Sequence, residues 1–118
     1  MVFGPFIPSP EAVKADKLRA EAIAEFKTLA KSVGVKIRVR SKALSNFYYA
    51  APDMDKLVEA IKANGYAFHS YSCEYWRYTK GDILIAFGPN EVYDLPDHYS
   101  IDIAYSPPSE RETLKRGF

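Results

Sequence analysis

Val35-Lys36-Ile37-Arg38-Val39-Arg40-Ser41-Lys42 is the segment from which the fold of this chain is predicted. Its aliphatic residues alternate with cations, and a period of two is typical of a β-strand that buries one face and exposes the other. The aliphatic face needs a layer to pack against. The opposite face carries Lys36, Arg38 and Arg40, which we call the cationic row, and we expect it to point to water.

The segment before this strand predicts a long helix that can supply the layer. Ser9 is a natural N-cap, Pro10 suits the first helical position, and Gly34 is a natural stop. Between them, apolar residues recur at spacings of three and four, namely Ala15, Leu18, Ala22, Phe26, Leu29 and Val33. The segment after Asp53 predicts a second helix that ends at Asn64-Gly65, and its apolar stripe comprises Met54, Leu57, Val58 and Ile61.

Further strands are predicted at residues 47–51, 66–78, 82–87 and 99–105. A strand spanning 66–78 would be unusually long, so we expect a bulge or break near Ser72 to Glu74 that turns Tyr71 and Cys73 inward. A two-residue turn at Lys80-Gly81 would place Trp76 opposite Ile85 on the buried face. Tyr75 and Arg77 would then share the other face with Leu84.

These elements predict one α+β domain over residues 1–118. We expect a mostly antiparallel sheet of four or five strands with two helices on one face, in the order α-β-β-α-β-β-β. A chain of 118 residues can bury a core without disulfides or a metal. Residues 1–9 and 106–118 are candidates for a flexible arm and a flexible tail.

Composition indicates a cytoplasmic protein without a membrane segment. The chain has one cysteine, Cys73, so an internal disulfide is impossible, which fits a reducing compartment. No apolar stretch approaches the length needed to cross a bilayer, and the first ten residues have no basic leader.

Charge is unevenly distributed along the chain. Residues 1–42 hold nine Lys or Arg against four Asp or Glu, which gives +5, and residues 43–118 hold seven against eleven, which gives −4. The sum is the net charge of +1. We therefore expect one part of the surface to attract anions and another to attract cations, although opposite charges that face each other would produce the same totals.

No residue pattern indicates catalysis. A nucleophile needs a neighbouring base, and the candidates are Cys73 with His69 or His98 and a carboxylate such as Asp97 or Asp102. In one continuous strand, His69 and Cys73 would lie about 13 Å apart, and we expect Cys73 to be a small core residue. A non-enzymatic protein is therefore favoured, and catalysis or small-molecule binding is the less favoured alternative.

One segment carries residue types that can hold a divalent cation, namely Asp94, Asp97 and His98 with Asp102 nearby. Their spacing matches neither an EF-hand loop nor a zinc motif. We therefore predict no metal and no cofactor.

Two binding hypotheses follow. The favoured one is a small regulatory protein, an inhibitor or adaptor of the kind that viruses and mobile elements also encode, which binds a protein partner or a second copy. Pairing of two copies could use a strand edge near Tyr71 to Tyr78 or the apolar arm at Phe3-Phe6-Ile7. The alternative is single-stranded nucleic acid or RNA, because cations neutralise phosphates and aromatic rings stack on bases. For either partner the predicted binding residues are Lys36, Arg38, Arg40, Tyr48 or Tyr49, Tyr75 and Arg77.

Overall fold

The computed structural model describes residues 9–41, 46–89 and 97–111, which form two α-helices and six β-strands. The helices are α1 (Pro10–Ser32) and α2 (Met54–Ala63). The strands are β1 (Ile37–Ser41), β2 (Asn46–Ala50), β3 (Ala67–Ser72), β4 (Tyr75–Lys80), β5 (Ile83–Pro89) and β6 (His98–Tyr105). The predicted α+β class with two helices is confirmed, and the sheet has six strands rather than four or five.

The sheet is antiparallel throughout, with the strand order β1-β2-β6-β5-β4-β3. Strand β6 lies inside the sheet between β2 and β5, although it is the last strand along the chain. It therefore joins the β1–β2 hairpin to the β3–β4–β5 meander.

The additional strand arises where the sequence predicted only a bulge or break. The chain reverses completely at Cys73 and Glu74, whose φ angles of 52° and 68° lie in the left-handed region. Two left-handed central residues define the two-residue hairpin turn that matches the twist of antiparallel strands. Cys73 is exposed at this turn. The expectation that Cys73 is a core residue is therefore wrong.

The register between β4 and β5 also differs from the prediction by two residues. Trp76 pairs with Phe87 and Tyr78 with Ile85, because the two turn residues are Gly81 and Asp82. A shift of two leaves each side chain on the same face of its strand. Trp76 consequently lies on the helix side as predicted, and Tyr75 and Arg77 lie on the face without helices, which we call the open face.

Both helices begin and end near the predicted residues. The Ser9 hydroxyl accepts a hydrogen bond from the backbone N–H of Ala12 at 3.1 Å. Gly34 and Gly65 follow the two helices with φ angles of 73° and 98°, which favour glycine. The Asp53 side chain, by contrast, makes no capping hydrogen bond to α2.

The core lies between the helices and one face of the sheet. From the helices it includes the fully or nearly fully buried residues Ala22, Phe26, Ala30, Leu57 and Ile61. From the sheet it includes Phe47, Tyr49, Tyr78, Ile83, Ile85, Phe87, Ile101 and Ile103. Ile101 pairs in register with both Phe47 and Phe87, so it connects the two halves of the sheet at the centre of the core.

The start of the predicted tail is attached to the β4–β5 turn. The backbone N–H of Ser106 donates to the Asp82 carbonyl at 2.7 Å, and Arg111 Nη2 donates to the Gly81 carbonyl at 2.6 Å. Residues 1–8 of the predicted arm, residues 42–45 and the predicted tail beyond residue 111 lie outside the described residues. Within the described part of the chain, neither helix is both long and apolar enough to cross a membrane.

Candidate functional site

The cationic row lies at the β1 end of the sheet. Arg38 is exposed on the open face and pairs directly with Tyr48 of β2, while Lys36 is exposed just before β1. Arg40 is the additional residue of a bulge in β1, and its side chain lies outside the described residues. Two of the three predicted cations are thus accessible at one edge of the open face.

The two adjacent tyrosines lie on opposite faces. Tyr49 is 1% exposed in the core, where its ring contacts those of Phe87 and Tyr99 edge to face. Burial raises the pKa of Tyr49 above its usual value, and the neighbouring Tyr99 raises it further. Tyr48 is on the open face but is 7% exposed. Neither ring therefore offers an accessible surface for stacking.

Tyr75 and Arg77 interact with their own surroundings on the open face. The Tyr75 ring lies directly on Gly88, where a Cβ atom added to the glycine would be 2.2 Å from the ring carbon Cε1. The Arg77 guanidinium lies 5.8 Å from the Tyr75 ring centroid. Arg77 Nη1 also donates to the Ser72 hydroxyl at 2.7 Å and to the Ser72 carbonyl at 3.2 Å. Arg77 therefore links β4 to the end of β3, and Tyr75 packs from β4 onto β5.

The predicted binding residues therefore form two groups rather than one. Strands β1 and β4 are separated by β2, β6 and β5. Four interstrand spacings amount to about 19 Å. Arg38 and Arg77 share a face of the sheet but stand near its opposite ends.

The helix side of the sheet has a more accessible feature at its β3 end. Phe68 and Tyr71 are 56% and 54% exposed. The Tyr71 ring lies 4.9 Å from that of Trp76, and the Phe68 ring lies 5.6 Å from that of Tyr78. We call Phe68, Tyr71 and Trp76 the aromatic patch. The exposed rings of Phe68 and Tyr71 pack on the buried Tyr78 and the half-buried Trp76 of β4, which hold them in position.

Phe68 of the patch packs on Tyr78, a buried tyrosine with a raised pKa. Burial is the main cause of the shift, and Glu59 and Asp55 of α2 raise the pKa of Tyr78 further. The same helix also carries Lys56 and Lys62, so its two acids are matched by two cations. Glu74 is exposed in the hairpin turn that follows β3.

Both edge strands of the sheet carry a bulge. In β3 the irregularity falls at His69, between Phe68 and Ser70, and in β1 it falls at Arg40. Bulges on edge strands hinder continuous pairing with another strand. The exposed side chains of Phe68 and Tyr71 are accordingly better placed for contact than the interrupted backbone edge of β3.

The sequence interpretation named the edge near Tyr71 but missed the two exposed rings. The missed signal was the hairpin turn at Cys73-Glu74. With the turn recognised, alternation would have placed Tyr71 beside Trp76, whereas the bulge at His69 is what brings Phe68 onto the same face, beside Tyr78. Neither turn residue is the Asn or Gly that normally marks such a turn.

The candidate catalytic and metal-binding residues are positioned as follows. His69 Nδ1 lies 2.8 Å from the Ser70 hydroxyl at the bulge. The Asp97 carbonyl accepts from the Ala51 N–H at 2.8 Å, and an Asp102 carboxylate oxygen accepts from the Asn46 amide. Asp94 lies outside the described residues, among which no group of three potential ligands converges.

In comparisons with known proteins, the chain matches no family model, no curated protein and no solved structure.

Proposed function

We propose that this protein is a non-enzymatic binding protein, an inhibitor or adaptor, that contacts another protein through the aromatic patch. The observation that carries the proposal is the exposure of Phe68 and Tyr71, each more than half accessible on adjacent positions of one face. Large aromatic residues are enriched at protein interfaces and contribute much of their binding free energy.

The support beneath these rings favours the same proposal. Tyr71 packs on Trp76, which in turn packs against the core, and Phe68 packs on the buried Tyr78. Side chains held in place before binding lose less conformational entropy when a partner covers them. A pair of pre-positioned rings at the rim of the sheet is thus well suited to act as the centre of an interface.

Nucleic acid is the second candidate, and the exposure of Arg38 and Lys36 is the observation that favours it. Cations of this kind neutralise phosphates. A single-strand platform also needs accessible ring faces for the bases. The burial of Tyr48 leaves little ring surface near these cations, and Tyr75, which packs on Gly88, lies near the opposite end of the sheet.

Site-specific photocrosslinking in the source cells separates the two candidates. A photoreactive phenylalanine analogue is placed at position 68, at position 38, or at Val13, an exposed apolar residue of α1 that serves as the matched control. We expect a discrete protein adduct from position 68 that withstands nuclease and does not form from position 13. A photoprobe at position 71 should capture the same protein, and adding Phe68→Ser should reduce the yield of this second adduct.

Two results would contradict the proposal. Identical adducts from positions 68 and 13 would show that the patch is not a specific interface. A nuclease-sensitive adduct from position 38, with none from position 68, would favour nucleic-acid binding at the cationic row. Far-ultraviolet circular dichroism of every variant checks that the fold is intact.

A further inference from the structure

A cleft of about 300 Å³ lies between α1 and the turn that joins β4 to β5. Its apolar lining consists of Leu18, Ala22, Tyr66 and Ile83. Its polar lining consists of Glu21, Glu25, Lys80 and Asp82, with Gly81 at the turn between the last two. Ligand pockets are mostly apolar, hold a few convergent polar groups and begin at about this volume. The cleft therefore has the size and the composition of a site for a small molecule.

Two of the three carboxylates in the cleft are already paired with cations. Glu25 Oε1 lies 3.5 Å from Lys80 Nζ and also accepts from the Asn64 amide. Asp82 Oδ2 lies 3.9 Å from Lys14 Nζ. The ammonium group of Lys80 also lies 5.6 Å from the centroid of the Tyr66 ring. These contacts use the two carboxylates and the two ammonium groups for the protein's own interactions.

Two polar side chains of the cleft are left over. Glu21 forms no salt bridge with Lys17, one turn earlier on α1, or with another of the described residues. Tyr66 is only 6% exposed, and its hydroxyl forms no hydrogen bond within the part of the chain that the structure describes. Three carboxylates against Lys80 and Lys14 leave one negative charge in excess at the cleft. An unpaired carboxylate thus lies beside an apolar lining and an unused hydroxyl.

We propose that the cleft binds a small organic cation, a primary amine that carries a compact apolar group. The ammonium group donates to the Glu21 carboxylate and the Tyr66 hydroxyl, and the apolar group packs against Leu18, Ala22 and Ile83. An ammonium group has three N–H donors and no acceptor, so a carboxylate and a hydroxyl match it. Hydrogen bonds between charged groups are also stronger than neutral ones. The site is independent of the protein interface proposed above.

A titration followed by the amide signals in nuclear magnetic resonance spectra of the full chain tests the site. Benzylamine is the cationic probe, and benzyl alcohol and benzoate are its neutral and anionic counterparts. We expect benzylamine at low salt to produce saturable shifts at the amides around the cleft, such as those of Ala22, Gly81 and Ile83. Benzyl alcohol should bind about three- to fivefold more weakly, because it lacks the charge that pairs with Glu21. Benzoate should leave these signals unchanged.

Two substitutions measure the contribution of each proposed contact. Glu21→Gln should weaken the binding of benzylamine about three- to fivefold at low salt and less at high salt. Tyr66→Phe removes only a hydroxyl and should weaken binding about two- to tenfold, while urea denaturation shows nearly unchanged stability. Glu11→Gln changes the net charge equally in the first turn of α1, outside the cleft, and is the matched control. Its affinity for benzylamine should equal that of the original protein.

Several results would overturn the proposal. Equal affinities for benzylamine and benzyl alcohol, or an unchanged affinity in Glu21→Gln, would show that the cleft does not select a cation. A preference for benzoate would reverse the sign of the ligand. Equal losses in Glu21→Gln and Glu11→Gln would trace the effect to the net charge of α1. Shifts that are scattered over the surface, or no saturable shift with any of the three probes, would show that the cleft is not a binding site.

Discussion

At the residue scale, Gly88 shows how the open face constrains a single position. Its φ angle is not in the left-handed region, so any residue could adopt its backbone conformation. The restriction comes from the Tyr75 ring, which occupies the volume where a side chain would begin. An aromatic ring that covers a glycine on a neighbouring strand is a known device for protecting the exposed backbone.

Gly88→Ala should consequently destabilise the protein by about 1–3 kcal/mol, because the added methyl group forces the ring off its site. The same substitution in a Tyr75→Ala background should cost little, since the obstructing ring is gone. Urea denaturation of the four proteins in this cycle measures the coupling between the two positions. Equal costs of Gly88→Ala in the two backgrounds would show that the ring is not the cause.

At the scale of single elements, the hairpin between β3 and β4 is the part that sequence patterns predicted least well. Helices α1 and α2 were predictable because caps, stops and a 3.6-residue repeat all agree at their positions. The hairpin was not predictable because its turn residues, Cys73 and Glu74, have no preference for left-handed backbone. Their conformation is imposed by the packing of β3 on β4, which is a tertiary effect.

That conformation gives Glu74 a specific stability prediction. A residue with a Cβ atom in the left-handed region costs roughly 1–2 kcal/mol, so Glu74→Gly should stabilise the protein by about 0.5–1 kcal/mol after the added entropy of glycine is deducted. Thermal unfolding compares it with Glu74→Ala, which removes the same charge but keeps the Cβ atom. A similar gain in both variants would trace the effect to the charge rather than to the backbone.

At the scale of the whole molecule, the sheet order could not be read from the sequence. Individual strands were largely predictable from alternation, and so was the accessibility of Arg38. The insertion of β6 between β2 and β5 depends on contacts between residues far apart in the chain, and local patterns carry no information about them. The aromatic patch was missed for two reasons, because the turn at Cys73-Glu74 was not recognised and because the position of β3 at the edge depends on the order of the whole sheet.

The central position of β6 predicts that the two halves of the sheet unfold together. Ile101 is completely buried and lies opposite Phe47 on one side and Phe87 on the other. Ile101→Ala should therefore lower the free energy of unfolding by about 2–5 kcal/mol, and the loss should be the same whether it is monitored by Trp76 fluorescence in β4 or by amide hydrogen exchange in β2.

Ile37→Ala in the edge strand β1 is the comparison. Because Ile37 is only partly buried at the rim, it should cost less and accelerate exchange mainly in β1 and β2. If Ile101→Ala lowers the free energy of unfolding reported by one probe and leaves that reported by the other unchanged, the two halves fold independently and β6 does not couple them.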